Sequence, residues 1–477
     1  MSQIFLPLLF LLFFLVGCSH RSDMQSFAKN YYGGKIEQAY SFAANQGEKS
    51  DLLWNMQAGI SAFQLGKDDS DSLLNVAEVQ FSKYESEGLL SGVFDTLSSA
   101  AVNDNILPYR GYIYEGVLLN YYKALAAMSR KDFAIARVEF NRANDRQRRA
   151  KDYFSKDITK AISQQEKDFN QKTTDANQPR GMVDLTANSS SQFLENEYSN
   201  LSAFKAYHSF INPSVSYISG LFFMLENDYS KALDLFKESY AINKASLINE
   251  DVAILKKRQM RVNSSHTWIL IEEGHGAYKQ EKIFSFPAYL VSDKVLNVSV
   301  ALPVLTAGSS VFSQYRLGHG ASFEEIANMD SVIAREYQEQ LPFVLARALA
   351  GAILKMYMQA ELAKQFGDAG VLFGGLYSIM ATGADVRISL TTPYRILATR
   401  VKNQQKDIAI LGDGHSLFKI NFQFCGDDSH KMSKIVTTKV KKAHQDAIIL
   451  CNNQDNILYL RVTNAGVYFQ LLKGEMK

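Results

Sequence analysis

The chain has little of what usually marks an activity. Three cysteines in 477 residues exclude a disulfide-stapled scaffold. Charge of one sign is missing: 51 basic and 49 acidic side chains leave a net +2, which is not the footprint of a nucleic-acid binder. There is no long apolar run. Ile4 to Val16 covers 13 residues, whereas a bilayer-spanning helix needs about 20. Ala369 to Ala384 is short, glycine-rich and flanked by Asp368 and Asp385, so it reads as a buried helix. Signatures of chemistry are also lacking. None of the eight histidines stands in HExxH or another tight metal spacing, and there is no GxSxG elbow, P-loop or dinucleotide fingerprint. His319 and His415 lie in glycine-rich turns and read as solvated. Glu272/Glu273 and Glu324/Glu325 are sequence neighbours, which neither a strand nor a helix turns into a shared acid–base site. No catalytic residue, metal site or cofactor is expected. Apolar residues, at 47%, are plentiful enough to exclude a disordered chain, and the length fits two or three domains with their own cores.

The uncharged run at the start has the length of a secretion-signal h-region, and small residues follow it. Leu15, Val16, Gly17 and Cys18 then resemble the lipobox of bacterial lipoproteins. That resemblance implies cleavage after residue 17 and acylation of Cys18, although no Lys or Arg precedes the apolar run. Several acyl chains, at about 0.8 kcal/mol per buried methylene, would make the anchor practically permanent. By the same resemblance Ser19, in place of an aspartate, implies export to the outer membrane, facing the periplasm. The alternatives are a short uncleaved anchor or a plain signal peptide with an incidental cysteine.

Residues 18–260 show apolar spacings of three and four and few prolines, which predicts a helical array. Two stretches resemble the tetratricopeptide repeat, a helical hairpin with small residues where its helices touch. In Ser216–Asn243, Gly220 and Phe223 take the first-helix positions and Ala232 and Phe236 the second. In Asn120–Asn144 the corresponding residues are Ala124, then Ala136, Phe140 and Ala143. Weaker matches are Trp54–Glu78, with Gly59, Ala62, Gly66 and Ala77, and Tyr31–Ala44, with Gly34 and Ala39. Generic helical hairpins would give a similar pattern. The charged stretch 142–172 reads as a helix running past its packing partner, and residues near 173–191 as a mobile loop.

Residues 261–477 change character and predict a mixed α+β domain with antiparallel strands. Expected strands are Thr267–Ile271, Ile283–Ala288, Val295–Leu302, Ser309–Phe312, Val386–Leu390, Ile396–Val401, Ile408–Leu411, Leu417–Phe424, Lys434–Val440, Ala447–Cys451 and Ile457–Val462. A helix is expected to open on a Ser322/Glu325 capping box and to be interrupted at Pro342, with a second helix over Phe343–Gln365. Cys425 and Cys451 close two of the strands. They are either a disulfide or two buried thiols.

Two short stretches carry a further resemblance, EEGHGAYKQE at 272–281 and ADVRISLTTP at 384–393. They are similar to signatures of a family of bacterial lipoproteins, one without an assigned activity, that joins a tetratricopeptide-like half to an α+β domain. Glu272, Gly274, Lys279 and Glu281 match the first signature, and Ala384, Asp385, Arg387 and Pro393 the second; a proline and a tryptophan of the family pattern are absent. The resemblance implies a scaffold in envelope or peptidoglycan-synthesis assembly, lipid-anchored at the membrane, with protein partners in the envelope and no nucleic acid. The residues themselves also allow a structural reading: Gly274 and Gly276 in a hairpin turn, and Asp385 and Arg387 on one strand face as an ion pair. An envelope enzyme acting on glycan, or a component of a surface machine, are the other function classes the sequence leaves open.

Overall fold

The computed structural model describes residues 19–47, 51–87, 108–174, 198–288, 296–345, 383–403, 407–426 and 447–476, with a few positions between 347 and 370. The leader, Cys18, most of the expected loop at 173–191, the expected strand at 434–440 and nearly all of the helix expected beyond Leu345 lie outside them.

Helices fill the first half: α1 Ser19–Tyr32, α2 Ile36–Gly47, α3 Leu52–Leu65, α4 Ser70–Glu87, α5 Ile113–Ser129, α6 Phe133–Thr174, a short 3-10 turn Ser199–Phe204, α7 Pro213–Leu225, α8 Tyr229–Ile242 and α9 Ser246–Gln259. Their ends follow local chemistry. The Asp51 carboxylate accepts from the Trp54 amide at 3.0 Å to start α3, and Gly66 ends it in the left-handed conformation. Asn212 caps α7 and Pro213 stands in its first turn. Successive helices pack in pairs, α2 on α3, α5 on α6 and α7 on α8. At the α7–α8 contact a Cβ on Gly220 would stand 2.9 Å from the Phe236 ring, so the close approach requires glycine there. Ala124, Ala136, Phe140, Ala143, Phe223, Ala232 and Phe236 are all fully buried. The charged helix α6 runs on to Thr174, as its pattern predicts.

The second half holds β1 His266–Glu273, β2 Tyr278–Ala288, β3 Leu296–Thr306, β4 Tyr315–Leu317, β5 Glu324–Asn328, a helix α10 over 329–345, β6 Arg395–Lys402, β7 Asp407–Gly412, β8 His415–Gln423, β9 Ala447–Cys451, β10 Asn456–Thr463 and β11 Gly466–Lys473. A five-stranded sheet has the order β11-β10-β1-β6-β5, a four-stranded sheet β4-β7-β8-β9, and β2 and β3 form a ribbon. Most pairings are antiparallel; β1–β10 and β8–β9 are parallel.

The five-stranded sheet is the middle layer. Trp268 and Leu270 of β1, Ile396 of β6 and Tyr459 of β10 join the helices in one core. Ile269, Ile271, Leu397 and Leu460 face the four-stranded sheet in a second core, with Ile410, Phe418 and Leu450. Burial of β1 on both faces explains its unbroken apolar run. Helices give way to strands near residue 260, but the first core continues across that point, from Met24 to Leu472.

Several expected elements are corrected. Ser322 and Glu325 do not open a helix. Glu324–Asn328 instead pairs with β6 as an edge strand, and the helix starts after Asn328, whose Oδ1 accepts from the Ser331 amide at 3.2 Å. Pro342 does not interrupt α10. Leu341, Phe343 and Leu345 are buried there. At about 1.5–3 kcal/mol each, their burial outweighs the roughly 3 kcal/mol that an interior proline costs. Ser309–Phe312 is not a strand; Ser309 makes a single bridge to His275. Val386–Leu390 joins no ladder among the described residues and ends in a turn at Leu390, because side chains from the helices take the Ser389 and Leu390 amides. Strands β4, β5 and β11 have no counterpart among the expected ones.

Candidate binding cleft

The two short motif stretches, more than a hundred residues apart in sequence, lie against each other. The Gly276 amide donates to the Thr392 carbonyl at 3.0 Å, and the Ala384 amide donates to Glu281 Oε2 at 2.8 Å. Gly274 and Gly276 do not form a hairpin turn, since β1 and β2 belong to different sheets. Their smallness serves the contact. Gly274 has φ +73°, and a Cβ there would collide with the Ser309 carbonyl. One on Gly276 would sit 2.7 Å from the Pro393 carbonyl oxygen. Asp330 pins the same connection by accepting from the Ala277 and Gly308 amides at 2.6 and 2.7 Å. Burial pushes its carboxyl up to about 6 despite those two bonds.

Between the pinned ends a cleft of about 650 Å³ opens. Met24, Ala28 and Tyr32 come from one stripe of α1, four residues apart, with Gln25 beside them. Tyr278, Lys279, Gln280 and Glu281 of β2 form a second wall, and Val386, Ile388 and Leu390 a third. His275 lies at one end, its ring 4.4 Å from that of Tyr32 and 5.1 Å from that of Tyr278 in edge-on contacts. Burial, helped by the nearby Arg461 guanidinium, lowers His275 to about 4, so it is neutral near pH 7.

The charged motif residues hold the cleft's frame. Lys279 Nζ donates to the Tyr112 hydroxyl at 2.7 Å. Arg387 folds back on Asp385, with its amide and Nε both 2.9 Å from Oδ1. This is a local ion pair two residues apart, and the strand expected to carry it does not form. Burial raises the Asp385 carboxyl, but Arg387 and then Lys279 overrule it and hold it at about 2. Ser389 and Leu390 donate their amides to Glu115 Oε1 and Gln57 Oε1 at 2.7 and 3.0 Å, and Leu390 accepts from the Tyr32 hydroxyl at 2.5 Å. The third wall is therefore strapped to the helices.

Glu272 lies outside the cleft, fully buried, where it accepts from Tyr121, Tyr122 and Tyr459 at 3.0, 2.7 and 2.7 Å. Glu273 faces the other way, towards Arg395 at 2.5 Å. Alongside Glu272, Arg461 donates to the Gly274 carbonyl at 2.8 Å and to the Tyr31 hydroxyl at 3.3 Å. Glu336 of α10 accepts from the Ile113 and Tyr114 amides at 2.7 and 2.9 Å and so caps α5. Burial raises its carboxyl to about 8.

Cys425 and Cys451 form a disulfide, with Cα atoms 5.4 Å apart, between the ends of the adjacent strands β8 and β9. His319 and His415 are exposed, as their turns suggest. Among the described residues no group of three His, Cys, Asp or Glu side chains could hold a metal ion. Sequence reasoning missed Tyr32, His275, Ile388, Leu390 and Arg461. The first four stand in the motif stretches or in the weak Tyr31–Ala44 match, and only their convergence marks them. No helix of the described residues is long and apolar enough to cross a membrane. No protein-family profile, curated protein or solved structure matches the chain.

Proposed function

We propose that this chain is a lipid-anchored scaffold of the Gram-negative envelope, held at the outer membrane through Cys18, with a tetratricopeptide-like helical half and a docking site for a partner protein in the cleft. The observation that carries the reading is the convergence of α1 and both motif stretches on one open cleft. Arrays of helical hairpins commonly bind partners on their concave face. Here Tyr121 and Tyr122 point from α5 into the buried carboxylate of β1, so the chain's own sheet covers that side of the helices. This directs a partner to the cleft instead. Glycine and alanine at the helix contacts, with Phe140 and Phe236 opposite, support the repeat reading. Ser19 to Met24 rises about 7.5 Å along a helix, so an acylated Cys18 would keep the cleft close to the bilayer surface.

A photo-crosslinking amino acid at Gln25 or Gln280, both exposed at the cleft, tests the reading in cells. A discrete envelope protein should be captured there and not from the exposed Arg149 on α6. Equal capture from both places, or none at the cleft, would count against it. For the anchor, Cys18→Ala should move the protein out of the outer-membrane fraction.

A further inference from the structure

We infer that the cleft receives an extended peptide segment of the partner, laid as an added strand along β2. The inference rests on the docking reading above and names the chemistry of what docks.

Side chains of a strand alternate between its two faces, so a cavity on one face touches every second residue. Tyr278, Lys279, Gln280 and Glu281 are consecutive, and all four line the cleft. A cavity that meets both faces of a strand runs along its edge, where the main chain offers hydrogen bonds. The opposite edge of β2 is taken by β3 over its whole length. Across the cleft the lining residues are Val386, Ile388 and Leu390, alternate residues of one segment that belongs to no ladder among the described residues. An extended peptide likewise turns every second side chain to one side. One wall therefore presents backbone and the other presents apolar side chains from alternate residues, which is the division of labour in strand addition: main chain for affinity, alternate side chains for choice of sequence.

The chain's own segment does not fill the place. It is tied to β2 at its ends, through Thr392 with Gly276 and Ala384 with Glu281. Between those ties residues 385–391 face only 277–280, so the longer stretch has to bow away. Glu115, Gln57 and Tyr32 hold the bow open from the helical side. The cleft, at about 650 Å³, is within the size range of sites that enclose compact ligands. Residues 278–281 span about 10 Å, so the seat is a few residues long.

The test uses purified full-length protein in detergent and a displayed library of random heptapeptides. Enriched sequences should be proline-free, with apolar residues at every second position. The best one is then synthesised with N-methyl groups on one alternate set of amides or on the other. Methylation of the set facing β2 should weaken binding about tenfold or more, and the other set should be tolerated, because a main-chain pairing reads only one edge. Val386→Glu, at a half-buried position, should weaken the unmodified peptide comparably with an unchanged circular dichroism spectrum. Equal affinity of the two methylated peptides would overturn strand addition, and persistent crosslinks at Gln25 would then leave the docking reading intact. Failure to enrich any peptide, or displacement of the selected peptide by palmitate, would also overturn the inference, the latter in favour of an acyl-chain ligand. Loss of the crosslinks while peptides still bind would instead sink the docking reading.

Discussion

Glu272 offers a sharp test of whether the helices and the sheet are one cooperative body. Its carboxylate is fully buried, with two tyrosines of α5 and one of β10 donating to it. Glu272→Ala leaves three buried hydroxyls without that acceptor, at about 1–3 kcal/mol each. Part of this is returned because a costly buried carboxylate disappears, which leaves a net loss of about 4 kcal/mol. At about 2 cal/mol/K per residue, a chain of 477 residues has an unfolding entropy near 1 kcal/mol/K, so the midpoint should fall by about 4 °C. The chain provides its own reporters, since its two tryptophans are Trp54 in α3 and Trp268 in β1. In Trp54→Phe and Trp268→Phe backgrounds, fluorescence follows one half at a time. Glu272→Ala should lower both midpoints together. A lowered Trp268 midpoint beside an unmoved Trp54 midpoint would refute the core shared by helices and sheet and separate the halves at residue 260.

Three further outcomes are expected. Between about pH 4.5 and pH 8 the native state keeps a proton on Glu336 that the unfolded chain has released, so this contribution to stability is complete below pH 4.5 and is lost as pH rises through about 8; a Glu336→Gln protein should show a flatter dependence of Tm on pH across that window. Gly220→Leu pushes a side chain into the Phe236 ring and should cost about 1–3 kcal/mol, read as a lower denaturation midpoint, with Gly220→Ala the milder change. Reduction of the Cys425–Cys451 disulfide, which closes a loop of 26 residues, should cost about 3.5 kcal/mol by chain entropy; both thiols should resist alkylation until a reductant is added.

The helical half was legible because each hairpin is local: Asn227 and Asp228 mark a turn, and Gly220 meets Phe236 within one supersecondary unit. Strands buried on both sides, such as β1 and β10, were legible from their apolar runs. The failures share a cause. Val386–Leu390 has the composition of a strand, but its amides are taken by Glu115 and Gln57 from helices far away in sequence, and no local rule anticipates that. Ser322 and Glu325 have the spacing of a helix start, but β6 needed an edge partner and took that segment. The cleft was half visible. Its motif stretches stood out singly, while the facing of α1 against them is a tertiary fact. Arg461 was hidden by the strand around it, where one cation among apolar residues looks like an exposed position.

The first helix is seated on the last hairpin. Tyr31 meets Arg461, and the turn after α1 packs on Ala465 between β10 and β11. A chain made from its N-terminus therefore holds α1 until β10 and β11 follow, before which the seat for that helix does not exist. Helical hairpins can form as they emerge, but the layer that joins them cannot close until β10 and β11 arrive. Closure of this layer then ends with the docking of α1. A protein built in this order leaves α1 undocked until then, and loss of β10 and β11 would release that helix and the cleft it walls.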